Sequence, residues 1–383
     1  MMPGPGEGVK QPGRVCAAWG LGQATHAPEV GDAKIERRSP TFAASNFISS
    51  GARRASSHMT ESTLSSTPSG PAARRSARTF QPPHSRARFI LRWLGRVAVV
   101  VLGLLAAGAA GIYGLSERKL RARFAVPEHR LVVSEDAATV ARGEHVATVR
   151  GCVDCHGPGF VGNTILDQPM IGRVAGPNLT PGGRGAELEA RDWERAVRHG
   201  VRPDGKPLVF MPSHEFTVLT DEDLGAIVAY ARSVPPVRQA APSTYAGPML
   251  RLMYVAGKLE LLAANEIDHA RAHEPRLTAE PTVAYGKYLA SGCTGCHGEG
   301  LSGGKIPGAP PEWGPAANIT PAGIGKWSAA DFATALRTGR RPDGSAIDST
   351  LMPIRLLRHM DDVELTALYA YLRTVPAREY GNR

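Results

Sequence analysis

Cys152-Val-Asp-Cys155-His156 occurs a second time, with two residues changed, as Cys293-Thr-Gly-Cys296-His297. Four of the five cysteines in the 383-residue chain lie in these two pentapeptides. A Met-Pro pair follows each of them, Met211-Pro212 after the first and Met352-Pro353 after the second, and the first cysteine precedes the methionine by 59 residues in both cases. Two equal long-range spacings indicate that the chain contains one structural unit twice.

The pattern Cys-x-x-Cys-His is typical of covalent haem c attachment. Two thiols one helical turn apart can each bond to a haem vinyl group, and the adjacent histidine then lies under the iron as an axial ligand. We therefore expect two haem c groups with His156 and His297 as iron ligands. Met211 and Met352 are expected as the opposite ligands. The cysteines expected to attach the haem groups are Cys152, Cys155, Cys293 and Cys296.

Other roles for paired cysteines fit the sequence less well. A thioredoxin-like redox pair needs only Cys-x-x-Cys and gives no reason for the repeated histidine. A four-cysteine zinc site would have to join pairs 141 residues apart, far beyond zinc-finger spacing. A disulfide closing so short a loop would constrain the unfolded chain little. Among other ligands, His214 is the alternative to Met211, whereas His145, His199 and His359 are expected to make surface or local contacts.

The two units correspond well beyond the haem motif. Short helices are predicted before each motif, at about 138–150 and 281–291, and after the capping residues Thr220 and Asp361. Another helix is predicted to end at Gly200 in the first unit and at Gly339 in the second. In the second unit, Ser328 and Asp331 form a capping-box pattern at the start of this helix. The corresponding stretches are 176–181 with 314–321, 191–200 with 330–339, 202–205 with 341–344, and 224–235 with 365–376.

The positive charge of the chain is concentrated at its N-terminal end. Residues 1–123 contain 18 of the 45 Lys and Arg residues and 6 of the 35 Asp and Glu residues, a formal charge of +12. The remainder carries −2, so a nucleic-acid-binding role has little support. Residues 1–88 are rich in Ser, Ala, Pro, Gly and Arg and are predicted to be disordered. Met59 is an alternative start, and Cys16 is expected to be inert.

Residues 97–115 are 19 consecutive uncharged residues, nearly enough for a helix to cross a hydrocarbon core of ~30 Å. With the apolar residues before them, they predict a single transmembrane anchor over 89–116. The flanking arginines favour an N-terminus in the cytoplasm, which places the haem units in the periplasm at the inner membrane. A cleaved signal peptide is the alternative, but the apolar run is long for one.

The remaining boundaries follow from these assignments. We predict a linker over 117–134, a first haem unit over 135–238, a second linker over 239–277 and a second haem unit over 278–380. Residues 249–264 are apolar but contain Arg251, Lys258 and Glu260. They therefore predict a helix packed between the units or lying on the membrane surface rather than a second span.

These residues resemble the class I c-type cytochromes, and more closely the cytochrome c subunits of membrane-bound alcohol and aldehyde dehydrogenases. The second unit is especially similar over 318–327, 331–332, 341–344 and Met352-Pro353. The resemblance implies an all-α fold, with two tandem class I cytochrome c domains behind one N-terminal transmembrane helix, and first and last helices that cross in each domain. Those subunits usually contain three haem motifs, whereas this chain has two.

The resemblance also implies roles for three further residues. In that family, the proline of Gly-Pro-Asn-Leu accepts a hydrogen bond from the haem histidine, which assigns Pro177 to His156 and, across a two-alanine insertion, Pro315 to His297. Such a bond fixes the histidine tautomer. Trp327 is expected beside the second haem, where the first unit has Leu188.

Histidine and methionine on one iron leave no open coordination position, so the iron passes single electrons. We therefore expect a membrane-anchored relay, not an enzyme, between an exported dehydrogenase and a cytochrome or oxidase acceptor. The alternative is a dihaem peroxidase-like enzyme with one open haem. A haem sensor is a third class, but no signalling domain is visible.

Overall fold

The computed structural model describes residues 84–239, 242–307, 309 and 312–383. Cys16, Met59 and nearly all of the stretch predicted to be disordered lie outside the described residues. The exception is the end of that stretch, since a helix already begins at His84. Residues 103–383 belong to one compact body.

The described chain is mostly helical, and its helices occur in the same order around each haem motif. The helices are α1 (His84–Leu120), α2 (Ala137–Val149), α3 (Cys152–His156), α4 (Ala190–His199), α5 (Ser213–Phe216), α6 (Asp221–Ser233), α7 (Pro248–Val255), α8 (Val283–Ala290), α9 (Thr294–His297), α10 (Pro321–Ile324), α11 (Ala329–Thr338), α12 (Ile354–Leu357) and α13 (Asp362–Thr374). Short 3₁₀ turns cover Pro158–Phe160, Arg184–Glu187, Ala263–Asn265 and Ser291–Cys293.

The first and last helices of each unit cross at a glycine, as the resemblance implies. A Cβ atom on Gly143 of α2 would lie 1.9 Å from the carbonyl oxygen of Ala226 on α6. A Cβ atom on Gly286 of α8 would lie at the same distance from the Ala367 oxygen on α13. Only glycine lets the two backbones approach so closely. Each unit thus has the same crossing at its centre.

The predicted helix ends are confirmed. Ser328 and Asp331 form a reciprocal capping box at the start of α11, and Glu189 and Asp192 form one at the start of α4. Gly200 and Gly339 end the two helices in left-handed conformations, with φ of 65° and 69°. The residue types at these positions therefore determine the helix boundaries in both units.

The prediction of an all-α fold is incomplete, because the first unit also contains a small antiparallel sheet. Its strands are β1 (Asn163–Gln168), β2 (Gly172–Gly176) and β3 (Tyr245–Ala246), in that order. Gly172 has φ of 120° and lets the chain reverse between β1 and β2. Among the described residues of the equivalent stretch of the second unit, there is an isolated bridge between Gly304 and Ala316 and no strand.

Helix α1 is the one described helix that is long and apolar enough to cross a membrane. Within its qualifying stretch, Arg86–Leu120, no residue of the 18-residue apolar window is buried in the chain itself. The end of α1 contacts the segment between the units: Arg251 donates to Ser116 Oγ at 2.8 Å and to Glu117 Oε2 at 2.9 Å. The predicted helix within residues 249–264 exists as the short helix α7.

Helix α7 and the residues after it form a third hydrophobic cluster beside the first unit. Leu250, Tyr254, Leu261 and Leu262 are buried there, and Phe210, the residue before Met211, packs against them. The backbone N–H of Phe210 donates to the carbonyl of Leu261 at 3.2 Å. The segment between the units therefore braces the Met211 loop.

Candidate haem sites

The backbone around each haem motif follows the same path. Phe160 and Leu301, each four residues after the motif histidine, have left-handed backbone conformations with φ of 61° and 57°. Their carbonyls accept hydrogen bonds from the N–H groups of Leu179 at 2.8 Å and Ile319 at 3.0 Å. A left-handed backbone conformation is costly for residues with a side chain. Because Phe160 and Leu301 both adopt it at equivalent positions, we infer that the loop after each motif requires this conformation.

Each motif histidine makes the same kind of hydrogen bond. His156 Nδ1 lies 3.1 Å from the carbonyl oxygen of Pro177, and His297 Nδ1 lies 2.7 Å from that of Ala317. A carbonyl only accepts, so Nδ1 carries the proton, and the lone pair of the neutral ring is on Nε2. Burial lowers the pKa of both imidazoles, which favours this neutral form. Nε2 is therefore the nitrogen able to bind iron.

The assignment of Pro315 to His297 is wrong in the structure, where Ala317 supplies the carbonyl. Asparagine sets the register in both loops: Asn178 follows Pro177, and Asn318 follows Ala317. The Asn178 amide donates to the Val237 carbonyl at 2.6 Å, and the Asn318 amide donates to the Arg378 carbonyl at 2.8 Å. The two-alanine insertion thus moves the proline away while the residue before asparagine keeps its place.

The four motif cysteines are half-buried thiols. Burial raises the pKa of Cys152 and of Cys155 to about 12, and that of Cys293 to about 11. Cys152 packs against the hydrophobic core of the first unit and Cys293 against that of the second. The two pairs therefore belong to different cores, which does not suit one zinc site shared between them.

Met211 and Met352 occupy equivalent places. Each packs, partly buried, against the same core as the first cysteine of its own motif. In both units the carbonyl of the methionine accepts a bond from the N–H two residues later, at 2.9 Å for Ser213 and 2.7 Å for Ile354. Equal spacing in the sequence thus corresponds to equal local structure.

The core of the first unit has room for a mostly apolar group with a polar edge. A cleft of about 300 Å³ opens in the first core, lined by Leu179, Leu188 and Trp193 among others. Trp193 is 3% exposed, and its Nε1 donor has no hydrogen-bond partner among the described residues. A buried orphan donor is what a polar edge of a bound group would satisfy. Together with the histidine, methionine and thiol donors, this fits haem c.

Trp327 packs against the core of the second unit, the same core against which Cys293 and Met352 pack. Its carbonyl accepts a hydrogen bond from the Tyr369 hydroxyl at 2.7 Å, which fixes the start of the following helix. The sequence comparison placed Leu188 opposite Trp327, and the structure adds Trp193 to the first site. Trp193 aligns with Phe332, which has no side-chain donor. The alignment of the two units therefore gave no sign that the indole N–H of Trp193 would be buried without a partner among the described residues.

The other histidines were predicted to make surface or local contacts, and the structure agrees for some of them and not for others. His359 is exposed, as expected, but His145, expected on the surface or in a local contact, bonds instead to Glu364 Oε2 of the second unit at 2.9 Å. His214 lies near Glu215 and Glu266, at 3.9 and 3.8 Å. His199 was expected on the surface or in a local contact, but only 3% of it is exposed. It belongs to a buried polar cluster outside the haem sites.

The two haem motifs face each other across the contact between the units. Arg150 donates to Ser291 Oγ at 3.1 Å and to the Tyr288 carbonyl at 3.2 Å, and it stacks on the Tyr288 ring. Arg150 lies two residues before Cys152, and Ser291 lies two residues before Cys293. Arg355 of the second unit pairs with Asp154, inside the first motif. Residues at both haem motifs therefore form the contact.

Two family models match the regions of the chain that contain the haem motifs. The family model described as cytochrome c oxidase, cbb3-type, subunit III matches residues 138–230, and the model described as cytochrome c matches residues 283–376. The gluconate 2-dehydrogenase cytochrome c subunit of Pantoea cypripedii is 30% identical over 275 residues, which cover 63% of this chain and 60% of that protein.

Two further relatives differ in how much of their length the chain covers. The cytochrome c subunit of the quinone alcohol dehydrogenase of Gluconobacter oxydans is 29% identical over 64% of this chain and 56% of that protein. The chain therefore spans a little over half the length of such relatives. A diheme cytochrome c-type protein of Cereibacter sphaeroides is 29% identical over 72% of this chain and 96% of that protein.

Proposed function

We infer that this chain, which contains two regions of the cytochrome c families and resembles the cytochrome c subunits of dehydrogenases, relays single electrons through two covalently bound haem c groups. The observation that carries the proposal is the matched pair of sites. In each unit, a Cys-x-x-Cys-His motif, a histidine hydrogen-bonded through Nδ1 and a Met-Pro pair pack around one core. We propose that the two units are tandem class I cytochrome c domains.

The residues that would bind each haem can be named from this geometry. Thioether bonds would join the haem to Cys152 and Cys155 in the first unit and to Cys293 and Cys296 in the second. His156 with Met211, and His297 with Met352, would be the axial ligands. A bound haem c supplies a one-electron ferric–ferrous couple. The carbonyls of Pro177 and Ala317 hold the histidine rings in the iron-binding tautomer and increase their basicity.

Two protein ligands per iron argue for relay rather than catalysis. With a histidine and a methionine as protein ligands, each iron would have no position open to peroxide or oxygen. A dihaem peroxidase would need one of these ligands to be absent or displaceable. The equal placement of Met211 and Met352 favours the same closed coordination in both units.

The contact between the units supports electron exchange between the sites. Arg150, Tyr288 and Ser291 join the chain just before one haem motif to the chain just before the other. His145 and Glu364 form a further bond across the same boundary. An arrangement that fixes two attachment motifs against each other would let an electron enter through one haem and leave through the other.

We propose that α1 is a retained anchor in the inner membrane, with the haem units in the periplasm. Its apolar length and exposed surface suit a lipid environment. The contacts of Arg251 with Ser116 and Glu117 would hold the end of the anchor against the segment between the units. Arginines before the apolar run favour this orientation.

By analogy with the named relatives, the electron donor is proposed to be an exported dehydrogenase, and the acceptor a respiratory cytochrome or oxidase. The relatives named as dehydrogenase subunits are longer than the part matched by this chain, whereas the diheme relative is matched over nearly all its length. The two-motif organisation therefore matches the diheme relative over nearly its whole length.

A redox titration of the purified full-length protein tests the proposal. We expect two covalently bound haem groups per chain and two one-electron couples, with no turnover of hydrogen peroxide. Rapid peroxide turnover, or a resting high-spin haem, would instead support the peroxidase alternative. A single covalently bound haem would contradict the proposed pair of sites.

A further inference from the structure

A buried cluster of histidine and carboxylate side chains joins α4 to the segment between the units. Glu194 and His199 lie on α4 and are 2% and 3% exposed. His273, from the segment between the units, has a side chain that is 6% exposed. His199 Nε2 lies 3.2 Å and His273 Nε2 lies 3.9 Å from the same oxygen, Glu194 Oε1. The three ligand atoms all lie within 4.8 Å of one another.

The protonation of both histidines can be deduced from their other ring nitrogens. His273 Nδ1 lies 3.1 Å from the Thr217 carbonyl, which only accepts, so Nδ1 carries the proton. His269 likewise donates from Nε2 to the Ala264 carbonyl at 3.1 Å. The Nδ1 lone pair of His269 then accepts from His199 Nδ1, 3.0 Å away. In the neutral form of His199 and of His273, the lone pair is therefore on Nε2.

Three lone pairs therefore point toward one place. They belong to His199 Nε2, His273 Nε2 and Glu194 Oε1. Among the residues that the structure describes, Glu194 Oε1 has no hydrogen-bond partner although it is buried. Electron-rich atoms at such distances repel each other unless a cation lies between them. An unpartnered buried carboxylate oxygen beside two imidazole Nε2 atoms is the donor set of a metal site.

The neighbouring arginine does not fill this role. Arg198 is fully buried and its NH1 lies 3.7 Å from Glu194 Oε1, outside hydrogen-bond distance. The same nitrogen lies 2.8 Å from Asp221 Oδ1, and NH2 donates to the Leu219 carbonyl at 2.6 Å. Asp221 thus offsets much of the arginine charge and leaves the Glu194 oxygen available to another cation.

We propose that Glu194, His199 and His273 form a divalent metal site that takes Zn²⁺ and fastens the segment between the units to α4. Two nitrogens and one oxygen suit zinc, and three protein ligands leave the fourth tetrahedral position to water. Tetrahedral ligands at ~2.0–2.1 Å from zinc are roughly 3.3 Å apart. The His199–Glu194 distance already matches, and His273 needs only a small movement.

The site is a feature of the first unit alone. Glu194 and His199 align with Ala333 and Thr338 in the second unit, which has no equivalent donors at these positions. Haem binding therefore does not require the cluster. His269, which accepts from His199, and Thr217, which accepts from His273, would orient the two ligands from outside the metal shell.

Zinc binding to the full-length holoprotein, purified in detergent after chelator treatment, tests the proposal. We expect one Zn²⁺ per two haem irons by elemental analysis, and zinc X-ray absorption with two imidazole nitrogens, oxygen and no sulfur. Glu194→Gln and His273→Gln should each weaken zinc binding more than ~100-fold, since loss of an outer-shell partner alone costs about 10–100-fold. His269→Leu should fall in that smaller range.

The matched control is His359→Gln, because His359 is exposed and should bind zinc only adventitiously. The visible spectrum of the haem groups should be unchanged in all four variants, which separates this site from the haem sites. His273→Gln leaves α4 intact, so it provides a result if Glu194→Gln fails to fold. Equal zinc affinity in the control and in both ligand variants, or sulfur ligation, would overturn the proposal.

Discussion

Helices α4 and α11 occupy equivalent positions in the two units, yet only one of them has a buried polar cluster. Both begin with a capping box and end at a left-handed glycine. Arg198 pairs with Asp221 near α4, and Arg337 pairs with Asp362 near α11. Glu194 and His199, however, are replaced by alanine and threonine in the second unit. The capping boxes, terminal glycines and arginine–aspartate pairs that both units share serve the fold. The cluster of Glu194 and His199, which only the first unit has, serves a role other than haem binding.

The largest expected effect concerns the shared helix crossings. Gly143→Ala and Gly286→Ala would each place a Cβ atom 1.9 Å from a facing carbonyl oxygen, so the helices must separate. We expect each variant to lose about 3 kcal/mol of unfolding free energy, the upper range for overpacking, and to unfold roughly 5–10 °C lower. Thermal unfolding of the holoprotein measures this.

Gly344→Ala is the control for the crossings, since its Cβ would meet nothing within 4 Å. Its left-handed backbone should still cost about 1 kcal/mol. If Gly143→Ala and Gly286→Ala were no more destabilising than Gly344→Ala, the proposed equivalence of the two crossings would fail.

A smaller effect is expected from the asparagines that set the register of the haem loops. Asn178 donates to two carbonyls and accepts two bonds from Thr180, whereas Asn318 donates to one carbonyl and accepts two bonds from Thr320. Replacement by alanine removes these bonds, including those of the buried Thr180 and Thr320, and should cost about 2 kcal/mol. Denaturant unfolding should show Asn178→Ala to be the more harmful change. The reverse order would contradict this account of the loops.

Arg150 provides a prediction about the two sites together. Its positive charge lies near both motifs and disfavours the oxidised, more positive state of either iron. Arg150→Gln should therefore lower both reduction potentials by about 40 mV, equivalent to ~1 kcal/mol for one electron. The exposed Arg358, replaced by Gln, is the control. A shift in only one potential would mean that Arg150 does not act on both sites.

The smallest expected effect is a pH dependence of the contact between the units. The hydrogen bond to Glu364 is the main reason that the pKa of His145 is raised, and the negative charge of Asp361 adds to this effect. Burial and the positive charge of Arg142 act in the opposite direction. Because the folded pKa is raised, the stabilisation is complete below the unfolded value of ~6.5 and is lost as the pH rises through the folded value.

We expect this ion pair to contribute about 0.5–1 kcal/mol at low pH. The stability difference between the protein and His145→Gln should shrink between pH 6 and pH 9. A difference that stays constant over this range would show that protonation of His145 does not stabilise the contact.

Much of the helical architecture could be predicted from the sequence because its signals are local. The ends of the helices are fixed by capping residues such as Ser328, by terminal glycines such as Gly339 and by the prolines that follow the last helices. These signals act independently of the tertiary structure. The equal spacing from motif to methionine also revealed the repeat. These features depend on nearby residues or on comparison of the two units.

The errors arose where distant residues decide the outcome. Pro315 was assigned to His297 by its residue type, but Asn318, bonded to the Arg378 carbonyl, sets the loop register. The sheet of the first unit depends on β3, which comes from the segment between the units. His199 was expected in surface or local contacts because its second-unit counterpart is threonine, whereas it packs against His269 and His273, which are 70 and 74 residues away in the chain.

The most direct test of the central claim is the far-red absorption band of methionine-ligated ferric haem, measured in the protein and in methionine variants. We predict that Met211→Ala and Met352→Ala each remove about half of the band and that the double variant removes all of it. Met170→Leu, at an exposed methionine, should leave the band unchanged. A band that persists in the double variant would contradict the assignment of these two residues as iron ligands.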